Sequence, residues 1–422
     1  MKSYGVPMWA RVGLRQSFCY GFFCLGAFGA YDLNAAASAS DKPKSWLERE
    51  QLTGDWGGGR AALVDSGVSP YITWTSQITR NLDGGLRAGM DVGGVVEFGF
   101  DLDLEKLGAW NGATIHTSAF WIQFNDDPSA DIVGNFDEVS NLAAQRSVRF
   151  YQAYVKQNFL AAKLTAKIGQ LALDDDFMIS PQSSMFQNAS FGPLPVLSAN
   201  TMVPIYPLGA LGAWAQMNFT SAFRLQIGIY SGDAGTQSSN RHGFYYSHSS
   251  RQGAAMMTEL GLDGSGGIYK LGALLHTGEF TDYRTGDVRS GNYALYMVLD
   301  QMLIGNRDAP KLGAFFRVAL SPQVACNEVD WYIDGGVTVR GVWDGDRVGV
   351  GFGRVNFGGP FIESQRDAGI QVANSESIIE LSYQKQLTPW SMIQPDLQYV
   401  ITPQNAALPN ALIAAVRMKI NF

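Results

Sequence analysis

Charged side chains recur in this sequence at alternate positions of apolar segments. Glu97 and Asp101, for example, alternate with Val96, Phe98 and Phe100. Side chains two residues apart lie on the same face of a β-strand, so this spacing separates a polar face from an apolar one. Polar faces of this kind offer many weak contacts, which suit a solute that binds and then moves on.

The reactive residue types are not spaced for catalysis. The four histidines are scattered, and no Gly-x-Ser-x-Gly, His-Glu-x-x-His or phosphate-loop motif occurs. Asp174, Asp175 and Asp176 could hold a calcium ion, although we favour a solvated acidic turn. We therefore predict a protein that is not an enzyme and has no metal and no cofactor. An enzyme built into a barrel remains an alternative.

The alternating segments predict an all-β fold, a transmembrane antiparallel β-barrel of about sixteen strands. One face of each segment would meet lipid and the other would line a wet lumen. A secreted β-sandwich or solenoid is the alternative, but it does not explain apolar faces on nearly every strand. The predicted strands begin near residues 69, 92, 112, 148, 161, 208, 222, 254, 267, 292, 311, 327, 347, 376, 391 and 411.

The predicted connections alternate between short and long, as the two rims of outer-membrane barrels do. Ser321–Cys326 is an exception, because it is short where a long loop is expected. The longest connection, Leu171–Pro207, contains Phe177, Phe186 and Phe191. Exposing these rings to water would cost free energy, so we expect the loop to fold inward and constrict the lumen. A lid over the barrel mouth is the alternative.

The chain divides into three predicted parts. Residues 1–39 resemble a signal peptide, with basic residues before the apolar stretch Phe18–Tyr31; an N-terminal anchor helix is the alternative. Residues 40–67 form a periplasmic arm with a short helix at Arg60–Ser66, and residues 68–422 form the barrel. A net charge of −7 and a pI near 5.2 argue against a nucleic-acid partner.

Several motifs resemble those of a known family. Leu52–Gly58 is similar to the N-terminal signature of the carbohydrate-selective porins, the glucose-porin (OprB) type of Gram-negative outer membranes. Arg149–Tyr154, Ile168–Gln170 and the ending Pro403–Phe422 also resemble this family, whereas Gly59 stands where we expect a larger residue. The resemblance implies a sixteen-stranded barrel that passes mono- and disaccharides without energy input. It also implies that the assembly machinery of the outer membrane reads the C-terminal Phe422.

The expected partners are therefore sugars, outer-membrane lipids and lipopolysaccharide. Charged groups can hydrogen-bond sugar hydroxyls, aromatic rings can cover C–H faces, and mixed signs suit a neutral solute. Lys167 and Trp214 are favoured because they flank the long loop, but any candidate could instead be a solvated wall charge. A general, weakly selective porin and a structural or adhesive barrel remain open. The lumen candidates are Glu97, Asp101, Lys163, Lys167, Trp214, Arg224, Arg317, Glu328, Arg340, Glu380 and Arg417.

Overall fold

A computed structural model describes residues 45–124, 127–264, 266–306 and 309–422. The predicted signal peptide, residues 1–39, lies outside the described residues. None of the helices in these ranges is long and apolar enough to cross a membrane.

The chain forms a closed barrel of sixteen antiparallel strands, in which each strand pairs with the next and β16 pairs with β1. Closure leaves no strand edge unpaired, which satisfies the backbone within a membrane. The fold prediction is thus confirmed, and each strand begins within four residues of its predicted start. The strands are β1 Val68–Asp83, β2 Gly89–Asp103, β3 Ala113–Ile122, β4 Ser147–Phe159, β5 Leu164–Leu171, β6 Ala210–Asn218, β7 Phe223–Ser231, β8 Ala254–Asp263, β9 Gly267–Thr281, β10 Val288–Gly305, β11 Pro310–Leu320, β12 Val329–Arg340, β13 Asp346–Phe357, β14 Ser375–Thr388, β15 Ser391–Ile401 and β16 Ala411–Asn421.

Alternation along each strand decides which side chains face outward. On β2, Val92, Phe98 and Phe100 are exposed on the outer surface, whereas Asp91 and Val95 are buried inside. The alternation of Val329, Trp331 and Ile333 with polar residues predicts that all three share an outward apolar face, which is wrong for Val329. The register shifts between Val329 and Trp331 at the start of β12, so Val329 turns inward and is fully buried.

Short helices occur only in the connections and the arm of the described chain. The predicted arm helix is α1, Gly59–Asp65; α2 is Pro195–Ser198 and α3 is Gly359–Asp367. Single helical turns are found at Trp46–Glu48, Trp56–Gly58, Ser129–Val133, Leu173–Asp175, Ser183–Met185, Ala189–Phe191 and Val324–Cys326.

The longest connection, residues 172–209 between β5 and β6, folds into the barrel, and we call it the inner loop. Phe177, Phe186 and Phe191 are each at most 3% exposed and pack in clusters with lumen-facing wall residues. The inward fold is confirmed, and the lid alternative is wrong. The connection between β3 and β4 also folds inward, with Phe136 and Leu142 buried, which was not predicted from the sequence.

Candidate functional site

An open cavity lies in the lumen at the end of the barrel that carries the short connections. It measures about 780 Å³, which falls within the range of roughly 300–1,000 Å³ for small-molecule sites. Its walls come from β1 to β5 and from β14 to β16, the arm contributes Glu50 and Gln51, and the inner loop contributes Asp175.

Three stacked rings form one side of this cavity. Tyr71 on β1 lies 6.2 Å from His116 on β3, and His116 lies 4.9 Å from Tyr154 on β4, measured between ring centroids. Asp101 on β2 contacts His116 Nδ1 at 2.8 Å and so orients the imidazole. Within the described ranges, His116 Nε2 and the Tyr154 hydroxyl have no hydrogen-bond partner. These atoms are therefore available to a solute.

The register of β4 and β5 supports this arrangement. Gly169 lies directly opposite Tyr154, and its φ of +146° favours glycine. A Cβ there would come within 2.7 Å of Tyr154 Cα. Lys167 follows on the same lumen face, with its Nζ 5.2 Å from the centre of the Tyr154 ring and 2.6 Å from Asp176 Oδ1.

The charged side chains around the cavity are balanced in number. Three acidic and three basic side chains line it, and a cavity of balanced sign does not repel a neutral solute or concentrate one kind of ion. The acidic residues are Glu50, Glu97 and Asp175, and the basic residues are Arg60, Lys167 and Lys419.

Of the predicted lumen candidates, Glu97 and Lys167 line the cavity, and Asp101 contacts its histidine. Trp214 is buried instead: its Nε1 donates to Gln226 Oε1 at 3.2 Å, and it packs in the core beside the inner loop. Its burial contradicts the prediction that Trp214 contacts a sugar. The inner loop was expected to narrow the lumen beside Trp214, but it covers the ring instead.

Three other candidates hold loops against the wall rather than facing open solvent. The Arg317 guanidinium pairs with Asp334 and donates to the carbonyls of Ser190 and Gly192 at 3.0 and 2.6 Å. The Glu380 carboxylate accepts the backbone N–H groups of Gln187 and Asn188 at 2.5 and 2.9 Å.

Arg417 donates to Gln77 and, at 2.7 Å, to Asn141 of the loop between β3 and β4. Strand parity correctly predicted that these three side chains face the lumen. Their role differs because the loops consume their hydrogen-bonding capacity.

The remaining candidates lie away from the cavity. Lys163 is exposed in the turn between β4 and β5, so its placement on a strand wall was wrong, and Arg340 is exposed at the end of β12. Arg224 pairs with Asp263. Glu328, in the connection between β11 and β12, accepts a hydrogen bond of 2.6 Å from Gln404 Nε2 in the loop between β15 and β16.

Lumen-facing glycines make room for the inner loop. A Cβ built at Gly349 would lie 2.5 Å from Met185 Sδ, and one at Gly351 would lie 2.7 Å from Phe191 Cζ. Bare backbone on β13 therefore forms a groove into which the loop side chains pack.

The acidic triplet of the inner loop is bound by protein groups. Asp174 accepts the backbone N–H of Tyr206 at 3.0 Å, Asp175 accepts from Gln152, and Asp176 pairs with Lys167. The favoured interpretation of a solvated turn is wrong, because the loop carries these carboxylates into the barrel.

Comparison with known proteins identifies the family. The family model "Carbohydrate-selective porin, OprB family" matches residues 87–422, which is most of the chain. The chain belongs to the OprB family of carbohydrate-selective porins. Porin B of Pseudomonas aeruginosa is 26% identical over 448 residues, covering 94% of this chain and 97% of that protein.

Solved structures agree on the fold of this OprB-family chain. A Pseudomonas putida OprB structure obtained at high pH matches with a TM-score of 0.81 and 23% identity, over 90% of this chain and 100% of that one. The Acinetobacter baumannii outer-membrane channel DcaP matches with a TM-score of 0.54 and 9% identity, over 84% and 97%. The family and the fold imply an outer-membrane protein of a Gram-negative bacterium, and its relatives are channels.

Sequence reasoning missed His116, Tyr154 and Lys419 in the site of this porin. All three lie at lumen parity on their strands. Strand parity therefore predicts Tyr154 and His116 as lumen contacts once neutral hydrogen-bonding groups are counted as well as charges.

The ion selectivity of this porin should depend on pH through Asp175. Burial raises the pKa of this carboxyl to about 6, the charge of Asp176 adds to the rise, and Lys167 opposes it. Below that pH the cavity loses one negative charge, so we expect the cation-to-anion permeability ratio to fall between about pH 7 and pH 5. Reversal potentials in a salt gradient measure this ratio. Asp175→Asn should reduce the change, and an undiminished change in that variant would contradict the assignment.

Proposed function

We propose that this porin passes neutral mono- and disaccharides of the glucose type by passive diffusion, with the cavity as the binding site. The observation that carries the proposal is the pairing of balanced side-chain charge with two hydrogen-bonding atoms that have no partner in the described part of the chain, Tyr154 Oη and His116 Nε2. The Tyr154 hydroxyl can donate and accept, and Nε2 of a neutral His116 accepts because Nδ1–H donates to Asp101, so both groups match the hydroxyls of a sugar.

Transport of this kind requires contacts that are specific but weak. Several neutral hydrogen bonds, each contributing about 0.5–1.5 kcal/mol, can hold a sugar briefly and release it. The membrane-facing wall would contact lipids and lipopolysaccharide, and Phe422, at the end of β16, would be read during barrel assembly.

Single-channel recording of the reconstituted protein tests the function. Glucose should reduce the ion current in a saturable way, and liposome swelling should be faster with glucose than with a charged solute of similar size. Ion current that glucose leaves unchanged would instead indicate a general diffusion porin. An absence of conductance would indicate a barrel that is not a channel.

Tyr154→Phe should weaken glucose binding about 2- to 10-fold while leaving ion conductance nearly unchanged, since it removes one hydrogen-bonding group and keeps the ring. The dissociation constant from current block measures this effect. Tyr293→Phe is the matched control, because Tyr293 faces outward on β10 and is 43% exposed. Equal affinities of wild type and Tyr154→Phe would contradict the role of this hydroxyl.

A further inference from the structure

The N-terminal arm is fixed across part of the cavity mouth at two places. At the first, the Trp46 and Trp390 rings lie 5.3 Å apart, and Trp390 Nε1 donates to the Trp46 carbonyl at 2.9 Å. At the second, Leu52 N donates to the Asn421 carbonyl at 2.9 Å. Gln51, next to the second attachment, lines the cavity.

The second attachment is reinforced by the helix of the arm. Arg60 Nη1 donates to the Phe422 carbonyl and Nη2 to Thr53 Oγ1, both at 3.0 Å. The guanidinium also lies 4.4 Å from the centre of the Trp56 ring. An arm attached at both ends of the segment 46–52 holds Gln51 in a defined place, so this residue can act as part of the wall.

Two amides on this side of the cavity have no hydrogen-bond partner among the residues that the structure describes. Gln51 on the arm and Gln384 on β14 both line the cavity, and neither side chain makes a hydrogen bond within the described ranges. Gln386 lines it as well, but its Nε2 donates to the carbonyls of Thr388 and Ser391 at 2.7 and 3.2 Å. An unpaired amide offers a donor and an acceptor without charge.

We propose that the arm is part of the solute site, and that Gln51 and Gln384 form a hydrogen-bonding subsite for a neutral polyhydroxylated solute. The subsite lies apart from the ring cluster, since β14 is three strands from β1, the cluster strand closest to it, and five strands from β3 around the wall. A sugar leaving the rings therefore meets a second set of neutral partners at the mouth. This inference rests on the proposed function.

Glucose block of the ion current through the full-length protein tests the subsite. Gln51→Ala and Gln384→Ala should each raise the dissociation constant of glucose about 2- to 10-fold, because each removes one neutral hydrogen-bonding group. Gln365→Ala is the matched control, since Gln365 belongs to α3 in a long loop and does not line the cavity. Heat-modifiable gel mobility confirms that each variant forms the barrel.

The attachment of the arm is tested by Trp46→Ala, which removes a ring that does not itself line the cavity. This change should weaken glucose binding in the wild-type background and have no further effect in Gln51→Ala, because both act through Gln51. If both glutamine variants bind glucose as wild type does while Tyr154→Phe weakens binding, the subsite is refuted and the proposed function stands. If glucose does not block the wild-type channel, both the subsite and the proposed function are refuted.

Discussion

Replacing Arg317 with methionine is expected to release the inner loop and raise the ion conductance several-fold. The guanidinium is 1% exposed, pairs with Asp334 and holds the carbonyls of Ser190 and Gly192. Its loss leaves a buried carboxylate without its cation, which costs about 3–5 kcal/mol. Detachment of the loop relieves that cost by admitting water, and it widens the lumen at the same time.

Single-channel conductance measures the release, and glucose block should weaken in parallel. The double variant Arg317→Met, Asp334→Asn removes both charges, so we expect a smaller increase in conductance than in the single variant. Arg366→Ala, on α3 in a long loop, controls for loss of a positive charge. Wild-type conductance in Arg317→Met would show that the other loop contacts suffice.

Gly351→Leu should displace the same loop by a steric route. Even a Cβ at this position would lie 2.7 Å from Phe191 Cζ and 3.1 Å from Phe186 Cζ, so a leucine cannot fit while both rings stay in place. Overpacking of this kind typically costs about 1–3 kcal/mol. We expect a conductance increase and faster proteolysis within residues 172–209.

The control for this substitution is Gly335→Leu. Gly335 lies on β12 at outward parity, where a leucine faces lipid, so loop position and conductance should stay as in wild type. Intact protease resistance of the loop in Gly351→Leu would mean that the rings can repack, and the groove would then have no role in placing them.

The barrel could be predicted closely because the alternation of apolar and polar side chains along a strand is visible in consecutive residues. Val92, Phe98 and Phe100 face outward as their spacing requires. Where alternation breaks, as at the register shift before Trp331, the prediction placed Val329 on the wrong face. The face on which a strand residue lies can thus be predicted from its neighbours in the sequence, whereas the position of a bulge depends on the strand with which it pairs.

The site was harder to predict, because the use of a wall residue depends on what the loops bring to it. Arg317, Glu380 and Glu97 all alternate with apolar residues on their strands. The inner loop hydrogen-bonds to Arg317 and Glu380, whereas Glu97 lines the cavity. Contacts between residues such as Glu380 and Gln187, 193 positions apart, cannot be read from spacing. The arm's share in the cavity was hidden for the same reason.

The attachments at the end of β16 also fix the register of β16 against β1. Leu52 N bonds to the Asn421 carbonyl, and Phe422 N bonds to the Ile72 carbonyl, each at 2.9 Å. A slip by one residue would turn every side chain of β16 to the opposite face. Arg417 and Lys419 would then face outward, where a cation costs about 2–4 kcal/mol at the bilayer midplane and about 0–1 kcal/mol near the interfaces. The arm thus helps to fix one register between β1 and β16 when the barrel closes.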